Sequence, residues 1–203
     1  MKVILDVPYY SQFKVVENME LQNKACSLVC LKMAIEYYFP DRGQVSAIDL
    51  FDESEIIQKS MLEKGLITEK VVAHGRSHDT IVFVAHNHGL SAYREEFRSI
   101  SVNLETHEFL PNSYDEYFWA RGIEKIKTAI KNNSLVMTSV FPGLSDGKSF
   151  HTLLIIGFEE SEDGELKGFY YHDSDAVGEP KNAQFIDLPT FKKFWRRLAI
   201  FLG

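Results

Sequence analysis

From Cys26 to Phe39 the chain reads Cys-Ser-Leu-Val-Cys-Leu-Lys-Met-Ala-Ile-Glu-Tyr-Tyr-Phe, apolar on nearly every side, with Lys32 and Glu36 as its only charged line. A helix that is apolar all round belongs in a core, and Pro40-Asp-Arg-Gly43 stops it. Ahead of it, residues 2 to 10 predict a short strand ended by Pro8 and the polar Ser11-Gln12. Behind it, residues 46 to 64 set Ile48, Leu50, Phe51, Ile56, Ile57 and Leu62 among many charges, the pattern of an amphipathic helix, with a break expected near Asp52. Ser77 to His88 predicts another helix, opened by Ser77 as N-cap and closed by Gly89. Arg94 to Tyr117 has no clear period and reads as loop and short strand, and a short helix is expected from Gly122 to Lys131.

After that helix the pattern turns to strands. Leu135 to Phe141, Thr152 to Phe158, Leu166 to His172 and Ala183 to Leu188 each read as one, the middle two joined by the turn Ser161-Glu-Asp-Gly164. Pro189 to Arg197 reads as a last helix. Helix first, then a mostly antiparallel sheet, is an α+β order. With 203 residues and 45% hydrophobic content the chain can bury a real core. The expected organisation is one domain over residues 1–203 with a helical insertion at about 41–120.

Charge narrows the function. Asp and Glu number 29 against 22 Lys and Arg, a net charge of −7, and the basic stripe that phosphate backbones require is missing, so nucleic acid is not an expected partner. The longest apolar runs, such as Leu153-Leu-Ile-Ile156, fall far short of the ~20 residues of a membrane-spanning helix, so no membrane is expected either. The opening Met1-Lys-Val-Ile-Leu-Asp-Val-Pro8 runs into strand-like sequence without an export signal. Cys26 and Cys30 would share one helix face a turn apart, an arrangement unsuited to a disulfide. Free thiols and no signal peptide together predict a cytoplasmic protein.

Cys26 stands where the apolar helix begins. A helix N-terminus with an imidazolium beside it is the usual means of stabilising a thiolate nucleophile. The competing reading is an inert buried thiol, the common fate of a free cysteine, and that is the reading for Cys30 one turn further in. An oxyanion formed at the thiol needs donors, normally the nucleophile's own N–H and a side-chain amide. Gln12, in the polar loop that leads to the helix, can supply the second, although a glutamine by itself is far more often a surface residue. A base is available in His151, at the mouth of a strongly apolar strand. If the strands from 152 and 166 pair as a hairpin, the start of the first lies beside the end of the second. That pairing brings His151 to His172 or Asp173, a carboxylate able to fix the imidazole tautomer. Asp175 is not separated from Asp173 by this argument.

Taken together, Val7-Pro-Tyr-Tyr-Ser-Gln12, Cys26-Ser-Leu-Val-Cys-Leu-Lys-Met33 with Tyr37-Tyr38, and His151-Thr-Leu-Leu-Ile-Ile-Gly-Phe158 resemble the bacteriocin-processing double-glycine leader peptidases and their stand-alone relatives, peptidase family thirty-nine. The likeness continues through Phe169-Tyr-Tyr-His-Asp173 and Asp187 to Leu198, and leaves roughly residues 41 to 120 unexplained. It implies a papain-like fold, with Cys26 as nucleophile, His151 as general base, Asp173 as its orienting partner and Gln12 as oxyanion donor. The family usually has Gly-Pro after the nucleophile, where this chain has Ser27-Leu28. That departure alters the active-site turn and removes no reacting group.

Other signals carry less. Pro142 to Ser149 imitates a phosphate-binding loop but lacks the first glycine and precedes a strand. His74, His78, His86 and His88 have spacings a metal could use, yet no Cys or paired carboxylate joins them, so neither metal nor cofactor is expected. His107 and His172 read as ordinary surface or sheet histidines, and Tyr114, Tyr117, Phe118 and Trp119 as core aromatics. The sequence therefore predicts a cysteine-dependent hydrolase of peptide or isopeptide-like amide bonds acting on a peptide or protein. The alternatives are an acyltransferase on the same site and a non-catalytic binding module of the same shape.

Overall fold

The computed structural model of the protein describes residues 1–73, 75–98, 114–142, 144, 150–176 and 179–203. Strand β1 (Lys2–Ile4) leads to two single-turn helices, α1 (Gln12–Val15) and α2 (Met19–Gln22), and then to α3 (Cys26–Tyr38). A 3₁₀ turn, Pro40–Arg42, follows, and after it come α4 (Ala47–Glu63), α5 (Glu69–Ala73), α6 (His78–Asn87) and β2 (Ala92–Glu96). The rest is α7 (Asp115–Lys131), β3 (Leu135–Val140), β4 (His151–Glu160), β5 (Leu166–Asp173), β6 (Gln184–Asp187), α8 (Leu188–Phe194) and β7 (Trp195–Leu202).

Among the described residues seven strands form one antiparallel sheet in the order β2-β7-β3-β4-β5-β6. β1 joins it by pairing with Gly157 to Glu159, beyond the half of β4 that β3 occupies. Helix α3 lies against β4 with Leu28, Val29, Cys30, Leu31, Met33, Ala34 and Ile35 buried, and α4 and α6 cover it from outside. Even its charged line is covered. Lys32, 4% exposed, pairs with Glu36 and donates to the Val45 carbonyl at 2.7 Å. Glu36 also accepts from the Val45 N–H at 2.9 Å and the Tyr10 hydroxyl at 2.7 Å. Two charges can share an interior when each is saturated with hydrogen bonds in this way.

The structure departs from the sequence reading at several places, among them the helical turns α1 and α2 in the expected loop before Cys26. The first strand pairs only from Lys2 to Ile4, and the run to Tyr10 continues off the ladder. Helix α4 passes through Asp52 unbroken, because Asp52 is on its exposed side. The short strand expected from Arg94 onward starts two residues earlier, as Ala92–Glu96 paired with β7. Helix α7 starts at Asp115 rather than Gly122. The last helix ends at Phe194 instead of Arg197, and Trp195 begins a strand between β2 and β3.

The last two differences share a cause. Trp195 packs its ring on Phe191 (centroids 5.3 Å apart), Trp119 (5.6 Å) and Phe97 (5.7 Å), tying α8, α7 and the end of β2 together. Gly122 is inside α7 because nothing larger fits: a Cβ there would meet Trp195 Cη2 at 2.6 Å and Phe97 Cγ at 2.7 Å. Replacing glycine by alanine in a helix interior ordinarily gains about 1 kcal/mol. Overpacking a filled core costs about 1–3 kcal/mol. We therefore expect Gly122→Ala to lower stability by up to about 2 kcal/mol in urea unfolding, and an increase would show that the aromatic corner yields.

Candidate active site

Antiparallel pairing between β4 and β5 places Leu153 opposite Asp173 and Leu154 opposite His172. His151 is two residues before Leu153 and so on the same face. Its side chain reaches Asp173, with Nε2 2.6 Å from Oδ1, both groups buried. The same Oδ1 accepts the Asp175 N–H at 2.8 Å, and the Lys181 ammonium lies 3.9 Å from Oδ2. Asp173 is thus the carboxylate that faces His151, while Asp175 offers only its backbone. Burial by itself would raise the Asp173 pKa, but His151, the Asp175 N–H and Lys181 hold it below the usual carboxylate range.

With Nε2 turned to Asp173, the other ring nitrogen is left for Cys26, which is within hydrogen-bonding reach. Burial opposes the imidazolium, yet Asp173 and Cys26 outweigh it and push the His151 pKa up to about 10. The half-buried Cys26 is the first residue of α3, whose N-terminus carries no side-chain cap. Burial alone would raise its thiol, but the hydrogen bond and charge of His151, aided by Thr152, bring it below its ordinary value near 9. The free N–H groups of a helix start favour the same negative charge. Cys30 behaves oppositely. It is fully buried, its Sγ points to the Thr152 carbonyl at 3.5 Å, and burial drives its pKa well above the usual thiol value.

Gln12 opens α1 and is buried. Its backbone N–H donates to the Ser174 carbonyl at 2.9 Å, and its Oε1 accepts the Ser174 hydroxyl at 3.0 Å. Ser174 directly follows Asp173, so the strand end that holds the carboxylate also fixes the amide. Sequence reasoning missed Ser174 and Thr152. Their signal is adjacency: each follows a candidate residue at a strand end. Tyr9 was missed too; its hydroxyl donates to the Asp173 carbonyl at 3.0 Å and accepts the Lys181 N–H at 3.1 Å.

Three further histidines, His172, His86 and His88, have local partners. His172 is held neutral, Nε2 donating to the Val7 carbonyl at 3.0 Å and Nδ1 accepting the Ala183 N–H at 3.0 Å. His86 meets the Ala92 carbonyl and His88 meets Glu53. His74, His107 and most of the loop from 142 to 149 lie outside the described residues. Of the aromatic stripe, Trp119 is buried while Tyr114 and Tyr117 are exposed, so only part of it is core.

Cys26 and His151 open onto a cleft of about 570 Å³. The sheet side is formed by β2, β3, β4 and β7; residues between Leu66 and Ile81 make the facing wall. A family model describing Peptidase_C39 like proteins matches residues 4–199. The chain belongs to the Peptidase_C39 like family. No curated protein matches it. Among solved structures it is similar to a double glycine motif protease from an AMS/PCAT transporter in complex with the leader peptide, at 14% identity and TM-score 0.55 over 99% of this chain and 94% of that one. A protein from Bacillus anthracis described as a C39-like peptidase aligns at 13% identity and TM-score 0.60, covering 100% and 98%. The peptidase domain of Streptococcus ComA, a bi-functional ABC transporter involved in quorum sensing, aligns at 14% identity and TM-score 0.51, covering 89% and 91%. These likenesses establish the fold as the papain-like one of C39 peptidases. Among the described residues no helix is long and apolar enough to cross a membrane.

Two outcomes follow for the thiol. With its pKa lowered, Cys26 should alkylate rapidly near pH 7, slowing as pH falls through that lowered value, while Cys30 stays silent. In His151→Ala the uncompensated burial should carry the midpoint above 9, the ordinary value; a midpoint unchanged from wild type would refute the pairing. Asp173→Ala should slow alkylation at pH 6.5 about tenfold, and Asp173→Asn much less, because its amide oxygen still accepts the Nε2–H. Alkylation rates of the purified variants, read by mass spectrometry, decide both.

Proposed function

We propose that this chain is a cysteine peptidase that hydrolyses peptide or isopeptide-like amide bonds through an acyl-enzyme on Cys26. The observation that carries this reading is the buried His151–Asp173 contact at 2.6 Å with a depressed thiol on the far side of the imidazole. In this mechanism Sγ⁻ attacks the carbonyl carbon and the electron pair moves onto oxygen. The N–H of Cys26 and the amide of Gln12 stabilise that oxyanion, an effect of roughly 3 kcal/mol per donor. When the tetrahedral species collapses, the C–N bond breaks and the imidazolium of His151 gives its proton to the leaving amine. A water then loses a proton to the imidazole and attacks the thioester, releasing a carboxylic acid and restoring the ion pair. Asp173 keeps the ring oriented and charged throughout. We read residues 1–203 as one domain, with the stretch from about 41 to 120 shaping the cleft, and a reducing, cytoplasmic setting suits its two free thiols.

The test is digestion of a proteome-derived peptide library in H₂¹⁸O. New C-termini carrying one ¹⁸O are expected from the wild type and absent from Cys26→Ala, and Gln12→Ala should cut the rate by about 10²-fold. Products identical for wild type and Cys26→Ala would end the peptidase reading. Products joined to an added amine, without ¹⁸O, would replace hydrolysis by acyl transfer.

A further inference from the structure

The cleft has the opposite sign to the chain. Against a net charge of −7, its lining among the described residues includes five cations, Lys24, Lys70, Arg76, Arg94 and Arg196, and two carboxylates, Asp79 and Glu96. Arg94 engages both carboxylates, and Arg98 takes Glu96 as well at 2.7 Å. Neither pairs directly with Arg196, which feels Glu96 only at longer range and against the charge of Arg98. That half-buried residue of β7 donates from Nη1 to Ser139 Oγ at 3.0 Å and rests its guanidinium over the Phe150 ring at 3.9 Å. Among the described residues it makes no other hydrogen bond and no ion pair.

The position of Arg196 relative to the chemistry follows from register. Ser139 pairs with Thr152 across β3 and β4, neighbours whose Cβ atoms stand about 5 Å apart. Thr152 in turn lines the cleft beside Cys26 and helps to lower its thiol pKa. The guanidinium is therefore one cross-strand step from Thr152, the residue after His151, and lines the same cleft as Cys26. His78, from α6, registers the field there: burial first, then Arg196 and Arg94, push its imidazole down to about 4 against Glu96 and Asp79. A guanidinium stripped of part of its water and given a hydroxyl and a phenyl ring instead of an anion gains most from a carboxylate. Low-dielectric walls concentrate such a field.

We propose that the cleft selects peptides bearing a carboxylate, an acidic side chain or a free C-terminus, which pairs with Arg196 near the scissile bond. This rests on the peptidase reading and names its substrate class.

Alkylation separates the two ideas. Iodoacetate and iodoacetamide differ by one charge, and at an isolated thiolate Coulomb repulsion disfavours the anion. At Cys26 iodoacetate should be faster by several-fold at low salt, and should lose that lead near 0.5 M salt as screening sets in. Arg196→Gln should slow iodoacetate several-fold more than iodoacetamide. Three peptides of one sequence then distinguish the sources of the carboxylate: an amidated peptide with a central Gln, the same with Glu, and the Gln peptide with a free C-terminus. Protection of Cys26 from iodoacetamide should be at least fivefold better with one or both acids than with the neutral peptide, and the advantage should vanish in Arg196→Gln. Equal rates for the two reagents with equal protection by all three peptides, or an anion preference untouched by Arg196→Gln, overturns the proposal while Cys26 remains reactive. Should Arg196→Gln fail to fold, the salt dependence and the peptide series on the wild type decide alone. A Cys26 inert to both reagents overturns the peptidase reading itself, and this inference with it.

Discussion

A carboxylate 2% exposed has to be answered by positive charge or hydrogen bonds, because an unanswered buried charge costs several kcal/mol. Asp173 is answered from three sides, by the His151 ring, the Asp175 N–H and the more distant Lys181 ammonium. That demand organises its surroundings. The strand end must stay paired to β4 for the ring to reach it, and the chain after Asp173 must turn back so that Asp175 can donate. Ser174, caught between these two requirements, is left facing Gln12. A change in the β4–β5 register by one residue would send Asp173 to the opposite face of the sheet and dissolve the arrangement.

The two cysteines demonstrate how little separates a reactive thiol from an inert one. They lie on one helix, both touch Thr152, and burial raises both. Cys26 has an imidazolium beside it and an uncapped helix start beneath it. Cys30, one turn deeper, meets the negative charges of Cys26 and Asp173 instead. The same helix is anchored on its other side by Lys32 and Glu36 against Val45, so the chain beyond α3 braces the thiol's position through a polar seam inside the core.

Much of this was legible in the sequence, because strand alternation and turn chemistry are local. The hairpin from His151 to Asp173, the buried character of α3 and the Ser77 cap could each be read from neighbouring residues. The choice between Asp173 and Asp175 could not, since it depends on which carboxylate a ring from another strand can reach. Gly122 was read as a helix boundary because nothing adjacent reveals the aromatic rings that exclude a side chain there. Trp195 to Leu202 was the largest loss. Its run Leu-Ala-Ile-Phe-Leu is the signature of a strand buried on both faces, yet periodicity cannot separate such a run from a helix end. With β7 unseen, Arg196 was assigned to a helix, and the charge lining the cleft was invisible.

The aromatic corner has an optical consequence. The chain has two tryptophans, and both belong to that corner, their ring centroids 5.6 Å apart. At such a distance they exchange excitation and behave as a single emitter. The intrinsic tryptophan fluorescence of this protein therefore comes from one place, where α7, α8 and β7 meet. It reports the integrity of that junction rather than an average over the whole molecule.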